Sequence, residues 1–350
     1  IGVEVVMSKR EDVRKVQLTG KSTYIVSLPR KWVGEVNLKK GEALTILEQN
    51  DKSLVLVPKG VKRHEKITEI SINLSLKDKT SSIIRKIIAL YLVGYNIIRL
   101  KTKEDRIPLE QRDKLKDFIR RMLVGTEIIS DSKNEMVLKV LLSYPELSVA
   151  DALRRISIIA ISMQKDAIAS LRELNHELAE EVVKTDDEVD RFSFYIIRQL
   201  KAAVEDERII KEIGLDNPRD CLGYRLITKS AERVADHAVS IAQNVLTIGK
   251  HIDDETFRVL NDLSSMTTLE FEGSINSLFA KNYSLADEII DRKGHVEEYE
   301  NGAIKQILGK KFDAETTSSL RLIVESLKRT AEYGSDIAEV VLNLTVFQKE

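Results

Sequence analysis

Alternating hydrophobic and polar positions dominate the first part of the sequence. Residues 13–18 alternate, residues 23–28 are β-branched and apolar, and Pro29 ends the second run. Turn-forming residues lie between the two runs, which predicts a hairpin. A short helical turn is expected directly afterwards, at residues 30–36.

A second pair of such runs, at residues 43–48 and 53–58, surrounds a turn at residues 49–52. This pattern predicts a second hairpin. The two hairpins together hold too few apolar residues for a core of their own. We therefore expect this β module to dimerise or to swap its strands with a second copy.

The next segment alternates between strand and helix patterns and predicts a βαβαββ domain. Its sequence carries no phosphate-binding loop and no ligand cluster, so we interpret it as a spacer or dimerisation unit, with a small-molecule sensor site as the alternative. The expected elements are a strand at 67–74, a helix at 80–93 ended by Gly94, a strand at 96–100, a helix from Pro108 to Met122, and strands at 127–130 and 136–141.

From Ser148 onward, hydrophobic positions recur with the 3.6-residue period of a helix. Turn-forming segments divide this half of the chain into six helices. Residues 229–246 align with residues 325–342, with seven identities in 18 positions. Such a repeat indicates a duplicated unit, here a pair of three-helix bundles.

The patterns together predict a multidomain α+β protein, in agreement with a length of 350 residues. The β module is assigned to residues 8–62 and the α/β middle domain to residues 63–147. The all-α region is divided into a first bundle at residues 148–250 and a second at residues 251–350.

Composition and motifs exclude several classes of function. The single cysteine, Cys221, cannot form an intramolecular disulfide or a multi-cysteine metal site, and so thiol-poor a chain fits the cytoplasm. No run approaches 18 uninterrupted apolar residues, so we expect no membrane span. The sequence lacks the phosphate-loop, dinucleotide-binding, nucleophile-elbow and zincin motifs, which predicts a protein that is not an enzyme.

Charge is unevenly distributed along the chain. The whole chain has 55 basic and 56 acidic side chains, a net charge of −1. Residues 9–63 carry 13 basic and 6 acidic side chains, a net charge of +7, which leaves −8 for the remainder. A solvated basic face is the simple interpretation of this excess, and a nucleic-acid footprint is the alternative.

The basic segment resembles a known family. The run VRKVQLTGKSTYIVSLPRKWVGEVNLKKGEALTILEQNDKSLVLVPKG, residues 13–60, is similar to the SpoVT-AbrB swapped-hairpin domain in its SLP strand end, its LKKGE turn and its closing hairpin. Members of that family are dimeric DNA-binding modules of transition-state regulators and antitoxins. The resemblance implies DNA contacts, mainly to phosphates, by Arg14, Lys15, Lys21, Ser22, Thr23, Arg30 and Lys31.

Two pairs of carboxylates in the helical half have the spacing that places both members on one helix face: Asp186 with Asp190, and Glu232 with Asp236. Like charges at this spacing repel each other unless they are solvated, countered by basic side chains or bridged by a cation. From spacing alone, a solvated face and a metal site both remain open, and the solvated face is the simpler interpretation.

The segment AERVADHAVSIAQNV, residues 231–245, resembles the motif of the PhoU family of phosphate-uptake regulators, in which two three-helix bundles bind multinuclear metal clusters. The likeness extends over residues 148–350 and implies Asp186, Asp190, Glu232 and Asp236 as metal ligands, with Ser240 where the family often has Asn. Carboxylate ligands suit a divalent or trivalent ion, iron, Mn, Mg or Zn. His237 is about 100° from Asp236 around the helix and is interpreted as a packing or surface residue.

The second bundle departs from that family pattern. Lys293, Glu297, Lys328 and Glu332 stand where the first bundle has its four acids. We interpret them as a degenerate site, in which lysine ammonium groups replace the metal ion. In an alternative register, Glu332 and Asp336 rebuild a site one turn along, with Glu297 or Asp291.

The order of the modules resembles archaeal PhoU-type phosphate uptake regulators over nearly the whole chain. The resemblance implies a cytoplasmic, homodimeric, DNA-binding transcription regulator that couples phosphate status to phosphate-transport genes through a metal-binding helical bundle. Its expected partners are the operator DNA of those genes and the ATPase subunit of the phosphate ABC transporter. The alternative is a metal-stabilised adaptor that binds no DNA and regulates the transporter by protein contact.

Overall fold

The structure, a computed structural model, describes residues 11–48, 52–58, 68–141 and 147–346. Contacts divide the chain into two compact units, with the division between residues 66 and 67. The domain limit predicted between residues 62 and 63 lies outside the described residues. The other predicted limits, after residues 147 and 250, stay predictions.

The first unit contains four short strands and one helix. Strand β1 (Gln17–Thr19) pairs antiparallel with β2 (Thr23–Ile25), and β3 (Leu44–Glu48) pairs antiparallel with β4 (Leu54–Pro58). Helix α1 (Arg30–Glu35) follows β2 in the chain. The two predicted hairpins are confirmed as two separate two-stranded sheets. Most of the turn expected at residues 49–52 lies outside the described residues.

Apolar side chains of both hairpins remain exposed. The exposed fraction is 75% for Tyr24, 59% for Ile46 and 62% for Leu54. Of the described residues in this unit, none is buried. An isolated two-stranded hairpin is at best marginally stable in water. Exchange of strands with a second copy, which would cover these side chains, stays a prediction.

The middle domain follows the predicted βαβαββ order. Its four strands form one sheet in the order β5-β6-β8-β7, with β5 parallel to β6 and the other pairs antiparallel. Gly94 ends the first helix with a φ of 108°, which glycine adopts without a Cβ clash. The elements are β5 (Glu69–Leu74), α2 (Thr80–Val93), β6 (Ile97–Thr102), α3 (Leu109–Met122), β7 (Thr126–Asp131) and β8 (Glu135–Val140).

The helical half contains more helices than its sequence pattern predicts. Short helix α6 was missed: it begins after Asp206, whose side chain accepts a hydrogen bond from the backbone N–H of Arg208 at 3.2 Å. The fifth predicted helix is broken at Arg292. The helices are α4 (Val149–Glu173), α5 (His176–Glu205), α6 (Glu207–Glu212), α7 (Asp220–Val245), α8 (Asp254–Ala280), α9 (Tyr283–Asp291), α10 (Lys293–Gly309) and α11 (Ala314–Thr345).

Helix packing confirms the predicted helical bundle region. Helices α4, α5 and α7 pack against one another, as do α8, α10 and α11, and α7 lies along α11 where the two groups meet. One continuous apolar core runs through both groups. The approach of α8 to α11 is close, because a Cβ on Gly334 would lie 3.2 Å from the backbone of Phe271.

Helix α5 also supports the middle domain. The guanidinium group of buried Arg198 donates hydrogen bonds to three carbonyl oxygens at the end of α2, including those of Gly94 at 3.2 Å and Tyr95 at 3.1 Å. A cation suits this position because the last carbonyls of a helix are partly negative and lack helical partners. Phe194 packs against the middle-domain core one turn earlier.

Candidate functional site

Helices α5 and α7 bring the four predicted acidic ligands into one electrostatic neighbourhood. Asp186 and Asp190 lie on α5. Glu232 and Asp236 lie on α7, close enough for their charges to act on the two α5 carboxylates. Asp186, Asp190 and Glu232 are partly buried, whereas Asp236 is exposed. We call this group the acidic cluster.

Burial and mutual repulsion disfavour ionisation in the acidic cluster. Desolvation, followed by the charge of Glu232, raises the pKa of Asp190 to about 7. Desolvation and then the charge of Asp236 raise the pKa of Asp186 to about 6. The pKa of Asp236 is also raised, chiefly by desolvation. A bound cation would offset both effects, because its charge stabilises the ionised carboxylates.

Two side chains outside the prediction hold Glu232 in place. The Ser193 hydroxyl donates to Glu232 Oε2 at 2.9 Å, and Lys229 Nζ lies 2.5 Å from Oε1. The contact of Lys229 could have been predicted from sequence, because Lys229 lies one helical turn before Glu232. The contact of Ser193 could not, because Ser193 lies on a different helix. Asp186 Oδ1, by contrast, is buried without a hydrogen-bond partner.

The negative charge and the oxygen donors of the acidic cluster suit a metal ion. The side chains, however, are not positioned to coordinate one. A buried carboxylate oxygen without a partner is the kind of atom that an ion satisfies. However, in the described parts of the chain no three His, Cys, Asp or Glu side chains are placed to hold one metal ion. Electrostatic coupling reaches much further than the 2.0–2.6 Å of a metal–oxygen bond. Metal binding therefore requires the carboxylates to rotate towards a common point.

Two neighbouring residues on α7 face the second bundle. Ser240 Oγ lies 3.4 Å from Ser326 Oγ of α11, and the His237 ring lies 5.7 Å from that of Tyr333. Burial lowers the pKa of His237, and its Nδ1 is buried without a partner. Both side chains thus contribute to helix packing, and His237 has the packing environment expected from the sequence.

The four residues of the predicted degenerate site take different partners from those expected. Lys328 Nζ pairs with Glu300 at 3.0 Å, and Glu332 pairs with Arg329 one turn before it. Glu297 is exposed. The side chain of Lys293 lies outside the described residues. Charge compensation in this bundle thus involves Glu300 and Arg329, which the repeat alignment did not single out.

Sequence reasoning also missed Glu270 on α8. Its side chain is 5% exposed, and burial raises its pKa to about 7. A signal was present in the pattern: Glu270 lies seven residues after Leu263 and four before Ser274, on the buried stripe of α8. A charged residue on such a stripe is rare without a partner.

The predicted DNA-contacting residues are all solvent-exposed. Arg14 and Lys15 precede β1, Lys21 and Ser22 form the β1–β2 turn, and Thr23 begins β2. Arg30 and Lys31 form the first turn of α1. Arg14 bonds to Asp12 at 2.8 Å, whereas Lys21, Arg30 and Lys31 have no salt-bridge partner among the described residues. Exposed, unpaired cations are available to phosphate groups.

Comparison with protein families gives two matches. The PhoU domain matches twice, at residues 153–245 and 260–341, which together make up half of the chain. This chain belongs to the PhoU family. The two matched segments correspond to the repeat that the sequence predicts, and PhoU proteins are known to bind metal clusters. Residues 17–64 match the MazE antitoxin family, described as antidote-toxin recognition. Both families are regulatory, and neither is a family of enzymes.

The chain is also similar to individual proteins. A phosphate-specific transport system accessory protein PhoU homolog from Aquifex aeolicus (strain VF5) is 28% identical over 137 residues, which cover 38% of this chain and 58% of that protein. The phosphate transport system regulatory protein PhoU from Streptococcus pneumoniae is similar over 56% of this chain and 92% of its own, with 18% identity and a TM-score of 0.48. PhoU from Pseudomonas aeruginosa gives 16% identity and a TM-score of 0.46, over 56% of this chain and 94% of its own.

In the portions of this PhoU chain that the structure describes, no helix is long and apolar enough to cross a membrane.

Proposed function

We propose that this PhoU protein is a cytoplasmic, homodimeric transcription regulator that couples phosphate status to phosphate-transport genes. The observation that carries the proposal is the joining of a MazE-type module and two PhoU domains in one chain. The MazE-type module supplies a basic surface for operator DNA. The two PhoU domains belong to a family of phosphate regulators.

The charge distribution supports the DNA-binding part of the proposal. The basic segment has a net charge of +7, whereas the rest of the chain has −8. A protein that binds DNA through phosphates concentrates its cations where the nucleic acid lies. In the dimer that we propose, Arg14, Lys15, Lys21, Arg30 and Lys31 of both copies converge on one face. Ser22 and Thr23 add hydroxyl donors.

The acidic cluster is the proposed metal centre. Asp186, Asp190, Glu232 and Asp236 would hold a divalent or trivalent ion such as iron, Mn, Mg or Zn, and that ion would supply the positive charge that the cluster lacks. Ser193 on α5 holds one carboxylate oxygen of Glu232, and Lys229 on α7 holds the other. Binding of a phosphate-signalling partner alters DNA affinity only if that partner binds the DNA-competent state with a different affinity.

DNA binding tests the proposal directly. Fluorescence anisotropy is measured with labelled DNA from upstream of a phosphate-transport gene, at low and physiological salt. The test variant replaces Arg14, Lys15, Arg30 and Lys31 by Gln. We expect salt-sensitive binding in the wild type and a loss of at least about 100-fold in the variant, because each lost charge contact to phosphate weakens binding.

A matched control removes the same number of charges from the helical half. Lys165, Lys201, Arg225 and Lys305 are exposed, and their replacement by Gln should leave DNA affinity nearly unchanged. Equal effects of the two variants would indicate a general charge effect and would contradict a localised DNA surface.

A second candidate function is an adaptor that regulates the phosphate ABC transporter by contact with its ATPase subunit. The name of the Aquifex aeolicus relative, an accessory protein of a phosphate-specific transport system, favours it. In this case the hairpins serve only dimerisation. A folded dimer that binds the ATPase subunit, and binds no operator DNA at any salt concentration, would favour the adaptor over the regulator.

A further inference from the structure

The second bundle contains a cavity of about 420 Å³ between its helices. Helix α11 lines one side of it, and α8, α9 and α10 contribute the other residues. The lining combines carboxylates with an apolar wall. The carboxylates are Glu270, Glu297, Glu332, Asp336 and Glu339, and the wall includes Ile289, Val296 and Ala331.

The cavity carries negative charge that the described protein groups leave uncompensated. Its two cations are already engaged, since Lys328 pairs with Glu300 and Arg329 pairs with Glu332. Salt bridges to Glu270, Asp336 and Glu339 are lacking among the residues that the structure describes. A positively charged ligand is therefore the occupant that this lining favours.

Glu270 is the observation that distinguishes this cavity from an ordinary acidic surface. Its side chain is 95% buried, it lines the cavity, and no described group donates a hydrogen bond to it. Helices α8 and α11 pack closely beside it, at Gly334. Arg292 is the only described cation that acts on it electrostatically, and Arg292 bonds to Glu288 at 2.6 Å. A buried carboxylate without a donor is costly to retain unless something else pairs with it.

The arrangement of the carboxylates favours an elongated organic cation over one metal ion. Glu332, Asp336 and Glu339 follow one face of α11 over about 10 Å, because an α-helix rises about 1.5 Å per residue. Ligands of a single metal ion must converge to within about 2.6 Å of it. The apolar wall also suits methylene groups better than a hydrated ion.

We propose that this cavity binds a linear aliphatic polyamine, with ammonium groups paired to Glu270, Asp336 and Glu339 and with the methylene chain against Ile289 and Val296. This proposal requires neither DNA binding nor a metal ion in the first bundle. It assigns to the second bundle a ligand site of its own. The polyamine would supply the donor that Glu270 lacks.

Isothermal titration calorimetry with spermidine tests the proposal on the full chain. We expect one spermidine per chain in the wild type, and binding weakened at least about tenfold by Glu270→Gln or by Asp336→Asn. Glu298→Gln is the matched control, because Glu298 is exposed on α10 outside the cavity and its loss removes the same charge. Circular dichroism verifies the fold of each variant. If Glu270→Gln does not fold, the Asp336→Asn variant decides the outcome alone.

Two results would overturn the proposal. Equal weakening by Glu298→Gln and the cavity variants would mean that spermidine binds the acidic protein without a defined site. Competition with Mg²⁺ and Mn²⁺ at constant ionic strength gives the second test. Full displacement of spermidine by either ion, with ion binding that depends on Glu270, would make the cavity a metal site instead.

Discussion

Replacement of Glu270 by Gln should make the protein more stable at alkaline pH and leave its stability at acidic pH nearly unchanged. In the folded protein, burial raises the pKa of Glu270 from 4.5 to about 7. Between these two pH values the native state holds a proton that the unfolded state has released. Stability therefore falls as pH rises through this window and is constant outside it. The glutamine side chain of the variant cannot ionise, so the variant lacks this contribution.

The magnitude follows from the size of the shift. Each pKa unit corresponds to about 1.4 kcal/mol, so a rise from 4.5 to about 7 corresponds to at most about 3 kcal/mol. Solvent that enters the cavity beside Glu270 screens part of this cost. We therefore expect the variant to be about 2 kcal/mol more stable than the wild type at about pH 8, and within about 0.5 kcal/mol of it at about pH 5.

Urea unfolding followed by circular dichroism measures this difference. Tryptophan fluorescence is unsuitable, because the single Trp, Trp32, belongs to the first unit and Glu270 belongs to the second. The free energies of unfolding of the variant and the wild type are compared at each pH, so the contributions of other titratable groups cancel. A stability difference that is the same at pH 5 and pH 8 would refute the reasoning, because only an ionisable group in an unfavourable site produces the pH dependence.

Three further predictions concern the other sites. Asp186→Asn combined with Glu232→Gln should abolish metal binding in the first bundle, and metal content equal to that of the wild type, by elemental analysis after exposure to Mn²⁺ or Fe²⁺, would contradict the proposed centre. Removal of each DNA-contacting Lys or Arg should reduce the slope of log affinity against log salt by about 0.9, and an unchanged slope in anisotropy titrations would exclude that side chain as a phosphate contact. Arg198→Met should destabilise the protein by about 3 kcal/mol, since it leaves one buried and two partly buried carbonyls without their charged donor. The control is exposed Arg121, 3.2 Å from Asp187, and Arg121→Gln should change urea stability by less than about 0.5 kcal/mol.

The middle domain and the helical bundles could be predicted because their signals are local. Each strand and helix of residues 69–140 carries its own hydrophobic period and its own end signal, such as Gly94. The order of strands in the sheet has no such signal, because it depends on which edges meet after folding. The break at Arg292 was missed for a different reason: residues 283–309 continue a helical pattern across it.

The candidate sites were predictable only as far as helical spacing carries information. Spacing places Asp186 and Asp190 on one face of α5, yet the direction of each oxygen depends on the opposite helix. The donation from Ser193 to Glu232 and the pairing of Lys328 with Glu300 join different helices. Glu270 is a single acid without a motif, and its importance becomes evident only from what surrounds it.

The exposed apolar hairpins have a consequence for the order in which the chain folds. Residues 11–58 leave the ribosome before the helical half of the same chain. Four strands in two separate sheets give them little stability of their own. The helical half buries one continuous apolar core within its own chain, so it can fold once its last helix, α11, has emerged. We expect the first segment to be synthesised first and completed last, once a second chain is close enough to cover Tyr24 and Ile46.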